Sequence, residues 1–476
     1  MGLGCRFGTS FPVGQVAVST RVRTAAPRGI HQRGNRSQVL MRSNLFRNPV
    51  QRGLILCFLA CLAAPIRGQS LPTAAFEDSL ALPIVDITLV GNHRTRPQII
   101  LREMKSRIGD PFDPDVLEQD RKRIQSLNLF NRVQTHVSVE NDSACIYLLL
   151  TEKWYWFPYP ILFLNNRDWN QLSWGAGLVH MNFRGRAENL SVLFWLGYNP
   201  AAQISYANPW LGGKRHLTFD AGAWTQRVRS LHYRESVTEQ HAGSYAALGK
   251  RWGLHRFARI QLGYREVAFT PPENESGTGE IRNRLPNIGI SFALDTRDLK
   301  EYPHSGHRLA GWIRAYGWSG HPRYLLYGFD IRHYIPWGKN MTVAWRAAAD
   351  FSAGTLPVYD RFYLGYDERI RGHFHEVREG EFRALAGLAV RVPLIPVRYF
   401  SLTSVPQLTD LKYGLSLGFF ADTGVTWLRK GKPKDWMSGF GMGLHLHLPY
   451  INVLRLEWAL NESGRSEFIA DLFVDI

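Results

Sequence analysis

Cysteine is scarce: Cys5, Cys57, Cys61 and Cys145 are the only four in 476 residues, which excludes a disulfide scaffold. Forty-three glycines without a three-residue period exclude collagen. Charged residues reach only 20% while aromatics reach 13%, the opposite of a disordered chain. The apolar run at residues 53–65 is shorter than the ~20 residues of a membrane helix. A mean hydropathy of -0.22 argues against a bundle of such helices. It leaves open a membrane β-barrel, in which only alternate residues meet lipid. Nucleophile elbows, HExxH and nucleotide fingerprints do not stand out. His445-x-His447 would share a strand face, and His373-x-His375 would if extended. Neither pair has a Cys or acidic partner at ligand-like spacing, so no metal is expected. Gly212-Gly213 before Lys214-Arg215 reads as a turn, since no helix follows to hold a phosphate.

The charge is uneven. Residues 1–70 hold ten Arg, no Lys and no acidic residue, most of the formal net charge of +17. The pI of 9.8 would suggest nucleic acid, but the excess sits in a leader, so no nucleic-acid partner is expected. From Met41, Arg42, Arg47 and Arg52 precede the apolar run, with a cleavage site near Gly68-Gln69. Residues 1–69 thus read as a leader with a secretory signal peptide starting at Met41, and 70–82 as a linker. An Arg-rich organelle transit peptide is the competing reading. Phe58-Leu59-Ala60-Cys61 makes a weak lipobox. Cys145 would be the sole mature cysteine.

Residues 83–153 form a small module. Ile84 to Val90 alternates as a strand and Gly91-Asn92 ends it. A helical stretch from Pro97 places Ile99, Ile100, Met104 and Ile108 on one face, and Gly109-Asp110-Pro111 breaks it. A second helix from near Pro114 carries Val116, Leu117, Ile124 and Leu127. Arg132 to Val139 alternates again, and Cys145 to Leu150 is an apolar strand. This β-α-α-β-β order, with Val90-Gly91-Asn92, Thr95, Gly109-Asp110-Pro111-Phe112 and Leu129-Phe130 before Val133, resembles a POTRA (polypeptide-transport-associated) domain. Such a module offers an exposed strand edge to which an extended client adds by backbone hydrogen bonds.

From residue 154 to 476 alternation recurs without a long helix. Ile260, Leu262 and Tyr264 alternate with Arg259, Gln261, Gly263 and Arg265; Leu454, Leu456, Trp458 and Leu460 with Arg455, Glu457 and Ala459. Leu172 to Leu178 and Leu325 to Arg332 repeat the pattern. A soluble sandwich would share it. Charges of both signs on one face and Trp/Tyr near strand ends favour a wet lumen and an interfacial girdle. About sixteen alternating segments are counted, long enough for membrane strands of ~9–11 residues. The fold class is therefore mainly β: a transmembrane antiparallel barrel of about sixteen strands preceded by one POTRA-like α+β domain. The last strand places Phe468, Ala470, Leu472, Val474 and Ile476 on one face.

The longest connection, about residues 354–380, joins the eleventh and twelfth strands. It contains Phe362-Tyr363-Leu364-Gly365-Tyr366 and then Ile370-Arg371-Gly372-His373. Phe420-Ala421-Asp422-Thr423-Gly424 lies in the thirteenth strand, and Asp295-Thr296-Arg297-Asp298 precedes Pro303 and Gly306 at a hairpin. Together these resemble the VRGF/Y loop and F-x-D-x-G strand of the BamA/TamA superfamily of outer-membrane assembly and translocation barrels, with His373 in the usual aromatic place. The resemblance implies a loop folded back into the lumen, where Arg371 meets Asp422. A guanidinium can grip a carboxylate by two prongs, with Gly372 turning behind it. It also implies a non-enzymatic protein without cofactor, in a bacterial outer membrane with its module in the periplasm. Its partners would be unfolded outer-membrane or secreted polypeptides, outer-membrane lipid, and periplasmic chaperones or accessory lipoproteins. A dedicated secretion channel or passive pore is the alternative, although a plain pore has no use for the module.

Overall fold

The computed structural model of the chain describes residues 82–471, apart from 165–168, 212–215, 231, 234–235, 273–278, 319, 321, 339, 366–367, 374–375, 404, 406–407 and 451–452. The leader, the Gly212-Gly213 turn, Tyr366, His375, Leu472, Val474 and Ile476 lie outside the described residues.

The module runs β1 (Ile84–Val90), α1 (Pro97–Leu101), α2 (Pro114–Gln125), β2 (Phe130–Glu140) and β3 (Ser143–Glu152). β3 is central, parallel to β1 and antiparallel to β2. Asn141 and Asp142 join β2 to β3, both at positive φ (50° and 56°), the backbone that a tight hairpin turn requires. Alternate β3 residues Ala144, Ile146, Leu148 and Leu150 are buried in one cluster with Ile99, Ile100, Leu117 and Ile124. Asp113 caps α2 by accepting from the amides of Asp115 and Val116, with Pro114 in the first turn. α1 ends earlier than the apolar spacing suggested. The Asp120 carboxylate accepts from the backbone N–H of Lys105 at 2.7 Å and of Ser106 at 3.0 Å. That draws the chain out of the helix; Met104 stays buried, whereas Ile108 is 64% exposed.

The barrel strands begin with β4 (Trp156–Leu164), β5 (Leu172–Phe183), β6 (Glu188–Gly197), β7 (Ala201–Leu211), β8 (Leu217–Arg229) and β9 (Thr238–Trp252). They continue with β10 (Arg256–Phe269), β11 (Ile281–Asp295), β12 (Gly306–Tyr316), β13 (Tyr324–Trp337) and β14 (Met341–Gly354). A short hairpin, β15 (Phe362–Leu364) and β16 (Arg378–Gly380), interrupts the long loop. The barrel resumes with β17 (Phe382–Phe400), β18 (Leu411–Trp427), β19 (Met437–His447), β20 (Leu454–Asn461) and β21 (Ser466–Asp471). The described residues form a sixteen-stranded sheet in chain order, with β14 pairing to β17. β4 and β21 are its two ends, and no pairing between them occurs among the described residues.

The pleat sorts residues as the alternation required. On β10, Ile260 and Leu262 are 54% and 58% exposed, while Arg259 and Gln261 are 5% and 7% exposed. The dry-looking residues face outward and the polar ones inward, which reverses a soluble sandwich and suits a barrel in lipid. Exposed Trp156, Trp252 and Trp337 stand at strand ends, where an interfacial girdle belongs. Because β4 leaves the module, the turns after β5, β7, β9, β11, β13, β17 and β19 all lie at the module's end of the barrel.

The module sits against those turns. Arg251 donates to both Glu103 oxygens at 2.7 and 2.6 Å, and Arg132 and Thr151 both donate to Asp410. Arg96 N–H donates to the Gly185 carbonyl at 3.0 Å. Burial pushes the Glu103 pKa up, but the hydrogen bond and charge of Arg251 outweigh it and hold the carboxyl below its ordinary value.

Candidate functional site

Three alternate residues of β18 face the lumen: Phe420, Asp422 and Gly424. The first two meet Arg371 of the loop and the third meets Ile370. The Arg371 guanidinium donates Nε to one Asp422 oxygen at 2.6 Å and Nη2 to the other at 2.8 Å. Its face lies 3.8 Å from the Phe420 ring centroid, a cation–π contact. Ile370 is buried, and a Cβ on Gly424 would come within 2.8 Å of its Cδ1. Gly372 turns the loop at φ +95°, a conformation that favours glycine. The spacing F-x-D-x-G is thus a seat with a ring, an acid and a gap on one strand face.

The site extends beyond the residues singled out from sequence. Arg371 Nη1 donates to Glu457 on β20 at 3.0 Å. Asp422 and Glu457 side chains are 10% and 1% exposed and Arg371 13%, so this is a largely buried ion cluster, which Arg455 joins at 3.8 Å from Glu457. His373, 2% exposed, bonds Glu462 at 2.6 Å and the Ser438 carbonyl at 3.1 Å through Nε2. The loop tip is therefore held by polar bonds at the position that is usually aromatic in the resembled motif. Glu368 accepts from Arg346 of β14 at 2.8 Å. Further out, Asp360 bonds Arg265 and Tyr324, within a cluster of Phe269, Leu285, Tyr316 and Phe362.

The second motif forms the turn between β11 and β12. Asp295 grips Arg297 by two prongs, at 2.8 and 2.7 Å. Asp298 accepts from the amides of Leu299, His304 and Ser305 at 2.8, 2.9 and 3.1 Å. Gly306 (φ +100°) lies so close to Thr296 that a Cβ would come within 2.4 Å of its carbonyl oxygen. This scaffold folds the turn inward and presents Tyr302 to the far wall. Tyr302 bonds His445 Nδ1 at 2.9 Å, and its ring meets His447 edge-on at 4.6 Å. Buried Arg391 stacks 4.4 Å from the same ring and donates to the Pro303 carbonyl at 3.2 Å. The His445/His447 pair thus shares a face that is turned to a tyrosine. His445 Nε2 lies 3.4 Å from Glu457, which joins the turn to the Arg371 cluster. On its other side the turn reaches the module through Asp298–Lys122 at 3.7 Å and Lys300 N–H to Ser126 at 3.5 Å.

Glu457, Glu462, Tyr302 and Arg391 were not singled out from sequence, and His445 was weighed only as half of a metal-binding pair. Inward-facing charge on neighbouring strands was the available signal for Glu457 and Arg391. Nothing local marks Tyr302, whose role depends on a turn folding across the lumen.

A sixteen-stranded antiparallel barrel with apolar residues outside, charges inside and one β-α-α-β-β module at its mouth is an outer-membrane β-barrel protein. The pattern described as the Omp85 superfamily domain matches residues 182–467, and the POTRA pattern, a surface antigen variable number repeat, matches residues 83–153. The chain belongs to the Omp85 superfamily. It is 22% identical over 303 residues to the outer membrane protein assembly factor BamA of Nitratidesulfovibrio vulgaris, covering 60% of this chain and 37% of that protein. The chain thus spans little more than a third of that curated relative's length. Its fold is similar to BamA from Haemophilus ducreyi lacking POTRA domains 1–3, with TM-score 0.52, 15% identity, and 82% and 83% of the two chains covered. CdiB from Acinetobacter baumannii gives TM-score 0.49 and 16% identity over 82% of this chain and 73% of that one.

Proposed function

We propose that this protein inserts outer-membrane β-barrel proteins or translocates polypeptides across the outer membrane, without nucleotide hydrolysis or covalent chemistry. The observation that carries this reading is a sixteen-stranded sheet in chain order, which makes β4 and β21, its first and last strands, the seam of the wall. A strand edge presents a row of unsatisfied N–H and C=O groups, and in lipid each such group costs several kcal/mol, on the order of the desolvation penalty. An incoming client strand relieves that cost by backbone pairing, which is independent of its side chains. The driving force is the client's own folding and burial in lipid. The named relatives, an assembly factor among them, support the same reading.

The Arg371 clasp holds the loop inside the lumen, and the inward turn at Tyr302 reaches in from the module's end. A passive pore fits poorly with a lumen entered by protein from both ends. The module presents the β1 and β2 edges of its sheet, where an extended client can dock on its way to the seam. The described residues hold one such module, 83–153, and a machine working with one docking edge suits a dedicated or auxiliary role. Clients would be unfolded outer-membrane or secreted polypeptides, delivered by periplasmic chaperones or accessory lipoproteins.

Depleting the protein and quantifying the outer-membrane proteome tests this. Loss of one or a few barrel or secreted proteins is expected. An unchanged proteome, with secretion also unchanged, overturns the assignment.

A further inference from the structure

The loop carries more than one cation at the clasp. Arg369, Arg371 and His373 are alternate residues, and each meets a carboxylate of the last hairpin, β20–β21. Arg369 Nη2 lies 3.5 Å from Asp471 of β21. Arg371 Nη1 lies 3.0 Å from Glu457 of β20. His373 Nε2 lies 2.6 Å from Glu462 in the turn between them. The backbones are equally close. A Cβ on Gly372 would meet the Leu460 carbonyl oxygen at 3.0 Å, and one on Gly439 of β19 would stand 1.8 Å from the Arg371 carbonyl oxygen. Asp471 is shared with Arg455 at 3.4 Å, which ties the ladder into the β20 wall.

We infer that residues 369–373 form a clamp on the last hairpin, with Arg369 and His373 as positioning residues that hold β21 against β20. The three ion pairs reach β20, β21 and the turn between them alike, so the loop ties the hairpin from outside the sheet, in addition to the β20–β21 ladder. Asp422 anchors the loop to β18, which pairs with both β17 and β19, and the clamp passes that rigidity to the last hairpin. The inference rests on the proposed function only where it treats the β4–β21 seam as the working edge; the clamp itself is a statement about stability.

Hydrogen exchange of the full chain in lipid nanodiscs tests it. Arg369→Gln combined with His373→Asn is expected to speed exchange of the β20–β21 amides at least tenfold while β8–β10 amides stay as in the wild type. Asp471→Asn, which breaks the ladder from the hairpin side, is expected to do the same at β21, and serves if the first variant fails to fold. The charge swap Arg369→Asp with Asp471→Arg should return exchange toward wild type. Unchanged β21 exchange in whichever variants fold overturns the clamp. Client assembly is measured on the same variants. Faster exchange with normal assembly leaves the clamp standing and counts against the functional reading, so the two fail separately.

Discussion

Arg371→Ala removes one guanidinium and leaves two carboxylates facing the space it filled. Asp422 and Glu457 side chains are 10% and 1% exposed, so water screens them little. Breaking a buried ion pair from one side costs about 3–5 kcal/mol, whereas a fully exposed pair is worth about 0–1 kcal/mol. The two-pronged bond to Asp422, the third bond to Glu457 and the stack on Phe420 all vanish together. The Arg371 backbone N–H, 3.4 Å from Asp422, persists and softens the loss. We expect a destabilisation of about 3–5 kcal/mol, read by urea unfolding in detergent micelles with tryptophan fluorescence. Asp422→Ala should cost a similar amount, and the double variant much less than the sum, with a coupling of about 2 kcal/mol or more. A coupling below about 0.5 kcal/mol in folded protein would refute the buried-cluster argument, because residues without a shared interaction add independently.

Gly439→Ala places a Cβ 1.8 Å from a backbone oxygen, whereas Gly424→Ala meets the flexible end of Ile370 at 2.8 Å and a backbone oxygen, that of Ala384, no nearer than 3.2 Å. Loop release, followed by protease cleavage within the loop, should be pronounced in the first and slight in the second. Leu262→Arg puts a charge on the lipid face near mid-strand and should cost about 2–4 kcal/mol in bilayers, with Gln261→Arg on the lumen face costing less; equal costs would argue against a membrane-facing wall. Glu103 has a folded pKa below its ordinary 4.5. Its contribution to module docking is therefore complete above that value and lost as pH falls through the lower one. Spin labels at Asn141 and Arg256 should report a broadened distance in acid, and Glu103→Gln should give that broadening at neutral pH.

Much of the wall was legible in sequence because a barrel imposes a period of two with nothing to override it. Ile260 and Leu262 against Arg259 and Gln261 announce their faces unaided. The meeting of Arg371 with Asp422 was legible only through motif resemblance, since fifty-one residues separate them and neither tetrapeptide is distinctive alone. What could not be read depends on chains crossing open space. The inward fold of the turn at Asp298 is built from three amides converging on one carboxylate, and hydrogen bonds to backbone leave no side-chain pattern. Tyr302 then meets His445 from 143 residues away. The helix from Pro97 was overextended for a similar reason: Asp120, from the next helix, captures the amides that would have continued it.

The contacts from Lys122 and Ser126 through the turn to Tyr302, His445, Glu457 and Arg371 have a thermodynamic consequence. Any coupling free energy carried along that path is necessarily reciprocal. Whatever factor a ligand on the module applies to the opening of the outer loop, a ligand that opens the loop applies to the module. Along such a path signal and response are interchangeable, with no fuel spent in between.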